Sequence, residues 1–212
     1  MVKPSIDTLL YGSSGTPLVH ELLKWAADTE NLHEFVADFH RLQLEHWLWS
    51  RREDLGEKVL DVGVYNLRSW VGEGYTPFGG SGVGEKGTLL EMPYPDNTFD
   101  GVILTEVLEH CEDPVKALAE VKRVIKPKGL LLVTSPFIWS WHGVENQYPD
   151  YWRFTHQGWQ LLLKSWLGVI VKPFEWTDEG AAAFDLLRRW ECFGYKGLTT
   201  AHTGYMCEAY KK

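Results

Sequence analysis

Apolar and polar residues are distributed along the chain in a pattern typical of α/β proteins. The runs Phe99–Thr105 and Leu130–Thr134 are mostly apolar, which predicts strands buried on both faces of a parallel sheet. Between them, Asp113 followed by Pro114 predicts the N-cap and first position of a helix that extends to about Ile125. Strand, helix and strand in this order form a parallel βαβ unit.

Further elements flank this unit on both sides. Helices are predicted over 18–27, 31–51, 156–166 and 179–191, a turn over Lys126–Gly129, and strands over Lys58–Gly63, Tyr75–Phe78, Thr88–Met92, Val169–Glu175 and Tyr205–Tyr210. This alternation predicts an α/β, doubly wound fold. We expect residues 55–212 to form this domain and residues 1–54 to form an N-terminal helical extension that closes over it as one compact unit.

Composition narrows the classes of function. The 212 residues are 44% hydrophobic and carry a net charge of −8, which allows an ordinary core and disfavours binding to nucleic acid. Three widely spaced cysteines without a CxxC motif fit a reducing compartment. The longest apolar stretch, Leu130–Trp141, is too short to span a bilayer, so we expect a cytoplasmic protein with no membrane partner. No metal site is predicted, because His142 and His156 lack partners at ligand spacing.

Polar side chains are concentrated where the predicted strands end. In an open parallel sheet, ligands bind beyond the carboxyl ends of the strands. That rule selects three stretches, Asp61–Asn66, Thr105–Cys111 and Ser135–His142.

One long run resembles a known family. The sequence LEMPYPDNTFDGVILTEVLEHCEDPVKALAEVKRVIKPKGLLLVTSPF, residues 90–137, resembles the central half of class I S-adenosylmethionine (SAM)-dependent methyltransferases of the type 11 kind. The later stretch WHGVENQYPDYWRFTHQGW is similar to a segment of bacterial relatives. The resemblance implies a Rossmann-like sheet of seven strands, the last one antiparallel, with SAM lying across the loop that follows the first strand.

The resemblance also implies roles for individual residues. Asp61 and Gly63 would form the loop beneath the amino acid and ribose of SAM, Thr105 and Glu106 would flank the cofactor, and His110 would lie near the reaction centre. Tyr65 occupies the place of a second loop glycine and would pack against the cofactor. The acid that usually grips the ribose has no counterpart among 75–80, and Thr88 stands where an acid near the adenine is usual.

Two alternatives remain open in this stretch. Either Glu106 or Glu109 could be the acid of the site, and we favour Glu106, since the other acid could be a solvated one favoured by the dipole of a helix start. His110 could equally be a histidine satisfied at a helix end.

A second cluster follows the fifth strand and comprises His142, Tyr148, Asp150, Tyr151, Trp152 and Arg153. One interpretation is a packed aromatic loop with an Arg–Asp pair. The favoured interpretation is a substrate wall formed by Tyr151, Trp152 and Arg153, with His142 as general base, a task that suits an unperturbed pKa of ~6.5.

The sequence therefore predicts a SAM-dependent methyltransferase that acts on an oxygen or nitrogen of a small-molecule or sugar-like acceptor. The first rival is a binding or scaffold subunit whose cofactor site has decayed. A nicotinamide-dependent oxidoreductase would need a fuller glycine fingerprint and an acid about 20 residues further on. Methylation of protein or RNA is a third possibility, and the acidic charge disfavours RNA.

Overall fold

The computed structural model describes residues 44, 47–63, 74–79, 87–137, 141–143, 149–174 and 204–212. Six strands form one sheet in the order β2-β1-β3-β4-β6-β5. The strands are β1 (Val59–Val62), β2 (Tyr75–Phe78), β3 (Phe99–Thr105), β4 (Ile125–Pro136), β5 (Leu167–Pro173) and β6 (Gly204–Tyr210). The predicted Rossmann-like α/β class is confirmed.

Strand direction divides the sheet into two parts. β1 is parallel to both β2 and β3, and β3 is parallel to β4. β6 is antiparallel to both β4 and β5, as expected of the last strand. The central strands are apolar on both faces, because the sheet is covered on both sides: Val102, Ile103 and Leu104 of β3 are fully buried.

Helix α1 (Pro114–Val124) joins β3 to β4. It begins where the sequence predicts, since Asp113 caps it by accepting a hydrogen bond from the amide of Lys116 at 2.9 Å. The helix buries one face, formed by Ala117, Leu118, Val121 and Val124. The βαβ unit read from the sequence is therefore confirmed.

Two local predictions are wrong. Residues 88–92 form a turn with a single bridge between Thr88 and Glu91, because the carbonyl and the hydroxyl of Thr88 accept from the amides of Glu91 and Leu90. The seventh strand stays a prediction, since six strands lie in the described part of the chain. The predicted turn at Lys126–Gly129 is an irregular stretch of β4, with a shift in pairing register between Phe99 and Gly101.

The later elements agree with the sequence, apart from their ends. Helix α2 covers His156–Leu162, shorter than predicted, and Thr155 caps it by accepting from the amide of Gly158. β5 and β6 begin one or two residues earlier than expected. The predicted helices at 18–27 and 179–191 lie outside the described residues, and of the helix predicted over 31–51 only residues 44 and 47–51 are described, all helical.

The chain divides into two compact units. One comprises Leu48–Pro173 with His202–Lys212 and contains all six described strands; the other comprises Met1–Trp47 with Phe174–Ala201 and lies almost wholly outside the described residues. The N-terminal extension over 1–54 therefore stays a prediction. Among the described helices none has the length and apolar character needed to cross a membrane.

Candidate functional site

A cavity of about 190 Å³ lies where β1 and β2 end. Its walls combine apolar side chains, three glycines and one imidazole: Val62, Gly63, Phe78, Gly79, Gly87, Leu89, Val107 and His110. Because β1 and β2 are parallel, their last residues lie at the same edge of the sheet. This is the edge at which open parallel sheets bind ligands.

Gly63 shapes one wall of this cavity. It follows β1 directly and has a φ of +94°, a conformation that favours glycine. Its amide donates a hydrogen bond of 3.2 Å to the carbonyl of Phe78. A Cβ atom at this position would lie 2.5 Å from Cγ2 of Val107. The glycine therefore lets the chain after β1 pass close to the chain after β3.

Asp61 is buried within β1, one residue before its end. Its carboxylate accepts a hydrogen bond of 2.6 Å from the hydroxyl of Tyr75 on β2. The described contact thus ties two strands together close to the cavity. Tyr65, the other loop residue predicted to meet the cofactor, lies outside the described residues.

Thr105 and Glu106 stand at the end of β3. The buried hydroxyl of Thr105 forms no hydrogen bond within the described ranges. Glu106 has a φ of +51°, which costs energy in a residue with a side chain. It is held there by Thr134 of β4, whose hydroxyl donates 2.7 Å to Oε1 of Glu106 and whose carbonyl accepts from the Glu106 amide at 3.3 Å. Such strained positions are concentrated at functional sites.

Glu109 differs from its sequence interpretation. The sequence favours Glu106 as the acid of the site and leaves Glu109 as the candidate for a solvated acid. The side chain of Glu109 is, however, 0% exposed. It lies in a short 3₁₀ helix, Leu108–His110, which turns it inward. Neither carboxyl oxygen forms a hydrogen bond with any residue that the structure describes. Burial, reinforced by the charge of Glu106, raises the pKa of Glu109 to about 9.

His110 and His142 are adjacent in space although 32 residues apart in sequence. Their Nε2 atoms are 3.2 Å apart and their rings meet edge to face, with centroids at 4.9 Å. Nδ1 of His110 lies 2.5 Å from the carbonyl oxygen of Pro149, and since a carbonyl only accepts, Nδ1 carries the proton. Burial lowers the pKa of His110, which keeps the ring neutral near pH 7.

Asp150 and Arg153 form an ion pair, which the interpretation of this segment as a packed aromatic loop predicts. The guanidinium donates to both carboxylate oxygens of Asp150, at 2.5 and 2.8 Å, and this contact holds the pKa of Asp150 well below its usual range. The same carboxylate accepts from the amide of His142 at 3.0 Å. The pair therefore fixes the position of His142.

Tyr151 and Trp152 attach this segment to the 3₁₀ helix. Their amides donate to the carbonyl of Glu109 at 2.8 and 3.2 Å, and Nε1 of Trp152 donates to the carbonyl of Cys111 at 2.7 Å. The two rings remain 53% and 41% exposed. The segment is thus anchored through its backbone and presents aromatic surface to solvent.

The arrangement offers a small apolar cavity beside a group of bases. His110 belongs to both, because it lines the cavity and contacts His142. The sequence named both histidines but did not indicate the buried carboxyl of Glu109 beside them. The sequence indicated that these residues would lie close together only because their segments follow predicted strand ends. Strand ends show where the segments lie and not how their side chains point.

Similarity to solved structures identifies the fold. A SAM-dependent methyltransferase from Archaeoglobus fulgidus superposes with a TM-score of 0.56 and 13% identity, covering 82% of this chain and 94% of that one. The cyclase SpnF superposes with a TM-score of 0.53 and 20% identity over 80% of each chain. At these identities the likeness is one of fold, the Rossmann-like fold of class I methyltransferases.

Sequence similarity links part of the chain to methyltransferases. Residues 80–133 match the family model of a methyltransferase domain. The chain is 56% identical over 43 residues to an uncharacterized methyltransferase of Schizosaccharomyces pombe, covering 20% of this chain and 16% of that protein. It is 30% identical over 141 residues to demethylmenaquinone methyltransferase of Geobacillus kaustophilus, covering 62% and 56%. The chain thus spans less than two thirds of either relative.

These findings confirm the resemblance drawn from residues 90–137. The similarity lies in residues 80–133 and in the fold, both of which the chain shares with methyltransferases. SAM is the cofactor named for the Archaeoglobus protein.

Proposed function

We propose that this protein is a SAM-dependent methyltransferase that methylates an oxygen or a nitrogen of a small-molecule or sugar-like acceptor. The observation that carries the proposal is the position of His110. Its side chain lines the cavity at the ends of β1 and β2 and meets His142 outside it. A cofactor in the cavity and an acceptor beside the histidines would therefore be neighbours.

The residues around the cavity suit the cofactor. Apolar walls and glycines leave room for the flat adenosine part, and the buried Thr105 hydroxyl has its hydrogen-bonding capacity unused within the described part. We assign Gly63 and Thr105 to the cofactor site, together with Asp61, Glu106 and Tyr65. When bound, SAM supplies a methyl group activated by a sulfonium.

The histidines suit the acceptor side of the reaction. Methyl transfer mainly requires that the acceptor be held in line and away from water, and a base is needed only when a hydroxyl or ammonium acceptor loses its proton. His110, which burial keeps neutral, lines the cavity, and His142 lies against it. We assign that proton to one of them.

The segment that carries Tyr151, Trp152 and Arg153 suits recognition of a small acceptor. Two partly exposed aromatic rings stand on a backbone anchored to the 3₁₀ helix, and such rings pack against the faces of sugars and other rings. The Geobacillus relative is named for demethylmenaquinone, a small molecule. Both observations favour a small-molecule acceptor over a protein or RNA.

Calorimetric titration with SAM and with S-adenosylhomocysteine tests the cofactor site. We expect the wild type to bind both with a Kd of about 1–100 µM. The variant Thr105→Val removes the hydroxyl without removing a described hydrogen bond, so it should fold normally and bind about tenfold more weakly. Thr98→Val, just before the opposite end of β3, is the matched control and should bind as the wild type does.

The outcomes separate the rival functions. Folded protein that binds neither compound at millimolar concentration would overturn the methyltransferase proposal and favour the binding or scaffold subunit. Wild-type affinity in Thr105→Val would remove Thr105 from the site and leave the cofactor in place. Binding with the expected pattern justifies a screen of small hydroxylated and amine acceptors.

A further inference from the structure

The side chain of Glu109 lacks a described partner in a place where a carboxylate needs one. It is 0% exposed, and neither of its oxygens forms a hydrogen bond with a described residue. A buried carboxylate without donors is strongly destabilising, so the group requires either a proton or a cation. Two ring nitrogens of the described residues lie near Oε1, Nε2 of His110 at 3.6 Å and Nε2 of His142 at 3.9 Å.

Three ligand atoms converge beside this carboxyl group. Nε2 of His110 and Nε2 of His142 are 3.2 Å apart, and Oε1 of Glu109 lies 3.6 Å from the first and 3.9 Å from the second. The point equidistant from these atoms lies about 2.1 Å from each, which is the usual length of a zinc–nitrogen or zinc–oxygen bond.

The outer nitrogens of both rings are oriented as they are around protein metal sites. Nδ1 of His110 donates to the carbonyl of Pro149, and Nδ1 of His142 faces Oδ2 of Asp150 at 3.4 Å. With protons on these nitrogens, both Nε2 atoms carry lone pairs and lie within 3.9 Å of Oε1 of Glu109. Three acceptors facing one another repel unless a positive charge lies between them. Metal-binding histidines carry such carbonyl and carboxylate partners on their second nitrogen.

We propose that Glu109 Oε1, His110 Nε2 and His142 Nε2 form a binding site for a first-row divalent metal ion of the Zn²⁺ type. Two imidazole nitrogens and one carboxylate oxygen favour such an ion over Mg²⁺ or Ca²⁺, which prefer all-oxygen sites. Three protein ligands leave a coordination position open, as catalytic zinc sites do. His110 would place that ion at the wall of the cavity.

The sequence did not indicate this site, since two ligands are adjacent and the third lies 32 residues further on, outside any ligand spacing pattern. The proposal does not require methyl transfer. If the ion binds, His110 and His142 are ligands and not bases, and the ion would polarise an acceptor hydroxyl in their place. Metal binding and cofactor binding are measured separately, so either proposal can fail alone.

The test is metal binding by full-length protein freed of metal and of any histidine tag. We expect one Zn²⁺ per chain by calorimetry, with a Kd of about 1 µM or lower, and no heat with Mg²⁺ at the same concentration. Co²⁺ should give a visible ligand-field absorption band that saturates at one equivalent. At a hundredfold excess over Kd, Zn²⁺ should raise the Tm by roughly 5–10 °C.

Matched variants locate the site. Glu109→Gln and His142→Gln should each weaken Zn²⁺ binding at least tenfold. Asp150→Asn, which removes the carboxylate behind His142, should weaken it about tenfold. His156→Gln is the control, because His156, the first residue of α2, packs against Tyr205 and takes no part in the cluster. It should bind Zn²⁺ as the wild type does.

Three results would overturn the proposal. One is the absence of stoichiometric Zn²⁺ binding and of a Co²⁺ band in the wild type, which would leave a shared proton between the bases. Another is equal affinity in Glu109→Gln, His142→Gln and His156→Gln, which would place the ion elsewhere. The third is a loss of Zn²⁺ affinity in the His156→Gln control that equals the loss in the ligand variants. The Co²⁺ band of the wild type decides the first point even if a variant fails to fold.

Discussion

Gly63 is the residue at which chain conformation and cavity shape depend on each other. At this φ of +94° a Cβ atom would meet Val107 at 2.5 Å, whereas at Gly79, with a φ of +68°, it would meet nothing within 4 Å. We expect Gly63→Ala to lower the free energy of unfolding by about 2–4 kcal/mol, through backbone strain and overlap, and Gly79→Ala by about 1 kcal/mol, through strain alone. Urea denaturation measures both, and equal losses would contradict the overlap.

Asp100 in β3 contacts the start of β4 and the residue before β1 through its carboxylate. It accepts from Nζ of Lys126 at 2.6 Å and from the amide of Lys58 at 2.9 Å, and the Lys126 contact chiefly lowers its pKa below 3.8. A lowered folded-state pKa means that the stabilisation is complete above the unfolded pKa and is lost as pH falls through the folded value.

We therefore expect Asp100→Asn to lower the free energy of unfolding by about 1 kcal/mol at pH 7. The difference from the wild type should shrink below pH 3.8, as the wild-type carboxylate becomes protonated. Denaturant titrations at several pH values check this. Glu53→Gln, at an 82% exposed position, should show no comparable difference at any pH.

Residue types were easier to predict than residue environments. The sequence placed Glu106 and Glu109 in one turn of chain, and helix-dipole reasoning allowed one of them to be solvated. The left-handed φ of Glu106 and the 3₁₀ turn after it decide instead that Glu106 bonds to Thr134 and that Glu109 points inward. Which side chain enters the interior depends on those few dihedral angles, which residue type alone does not specify.

At the scale of elements, the cap of α1 is a local feature with a measurable effect. Asp113 accepts from the amide of Lys116 in the first turn of the helix. We expect Asp113→Ala to lower the free energy of unfolding by about 1 kcal/mol, because that amide loses its partner. Thermal or urea unfolding measures the change. The neighbouring exposed residue is the control, and Glu112→Ala should stay within about 0.5 kcal/mol of the wild type.

Elements with strong local signals were predicted well, and those without them were not. β3, α1 and β4 follow from buried apolar runs and a Pro-containing cap. Residues 88–92 are also apolar in part, yet they form a turn, because Thr88 accepts hydrogen bonds from two of the following amides. A short apolar run is compatible with strand or turn, and a side-chain hydrogen bond of this kind decides between them.

At the scale of the whole molecule, Trp159 connects α2 to the sheet through its buried side chain. It is fully buried, and its Nε1 donates to Oγ of Ser135 in β4 at 3.2 Å. We expect Trp159→Ala to lower the free energy of unfolding by about 3–5 kcal/mol, since it leaves a cavity and an unpaired hydroxyl. Trp141→Ala, at a 66% exposed position, should change it by less than about 0.5 kcal/mol. Losses of similar size in urea denaturation would contradict this role.

The fold and the activity are separate questions for this architecture. A methyltransferase and a cyclase both superpose on the chain with TM-scores above 0.5. A Rossmann-like sheet provides an edge at which ligands bind, and the side chains at that edge decide the chemistry. For this protein we propose that the deciding groups are the cavity-lining His110 and the cluster that it forms with Glu109 and His142.

The sequence by itself determined the α/β class, the parallel βαβ unit and the edge of the sheet where polar residues gather. These depend on apolar runs, caps and strand order, which are local or follow from simple packing rules. Only the tertiary structure placed His142 in contact with His110 and buried Glu109 beside them. That convergence depends on how Pro149 and Asp150 hold a distant segment against the 3₁₀ helix, and such long-range contacts leave no periodic trace in the sequence.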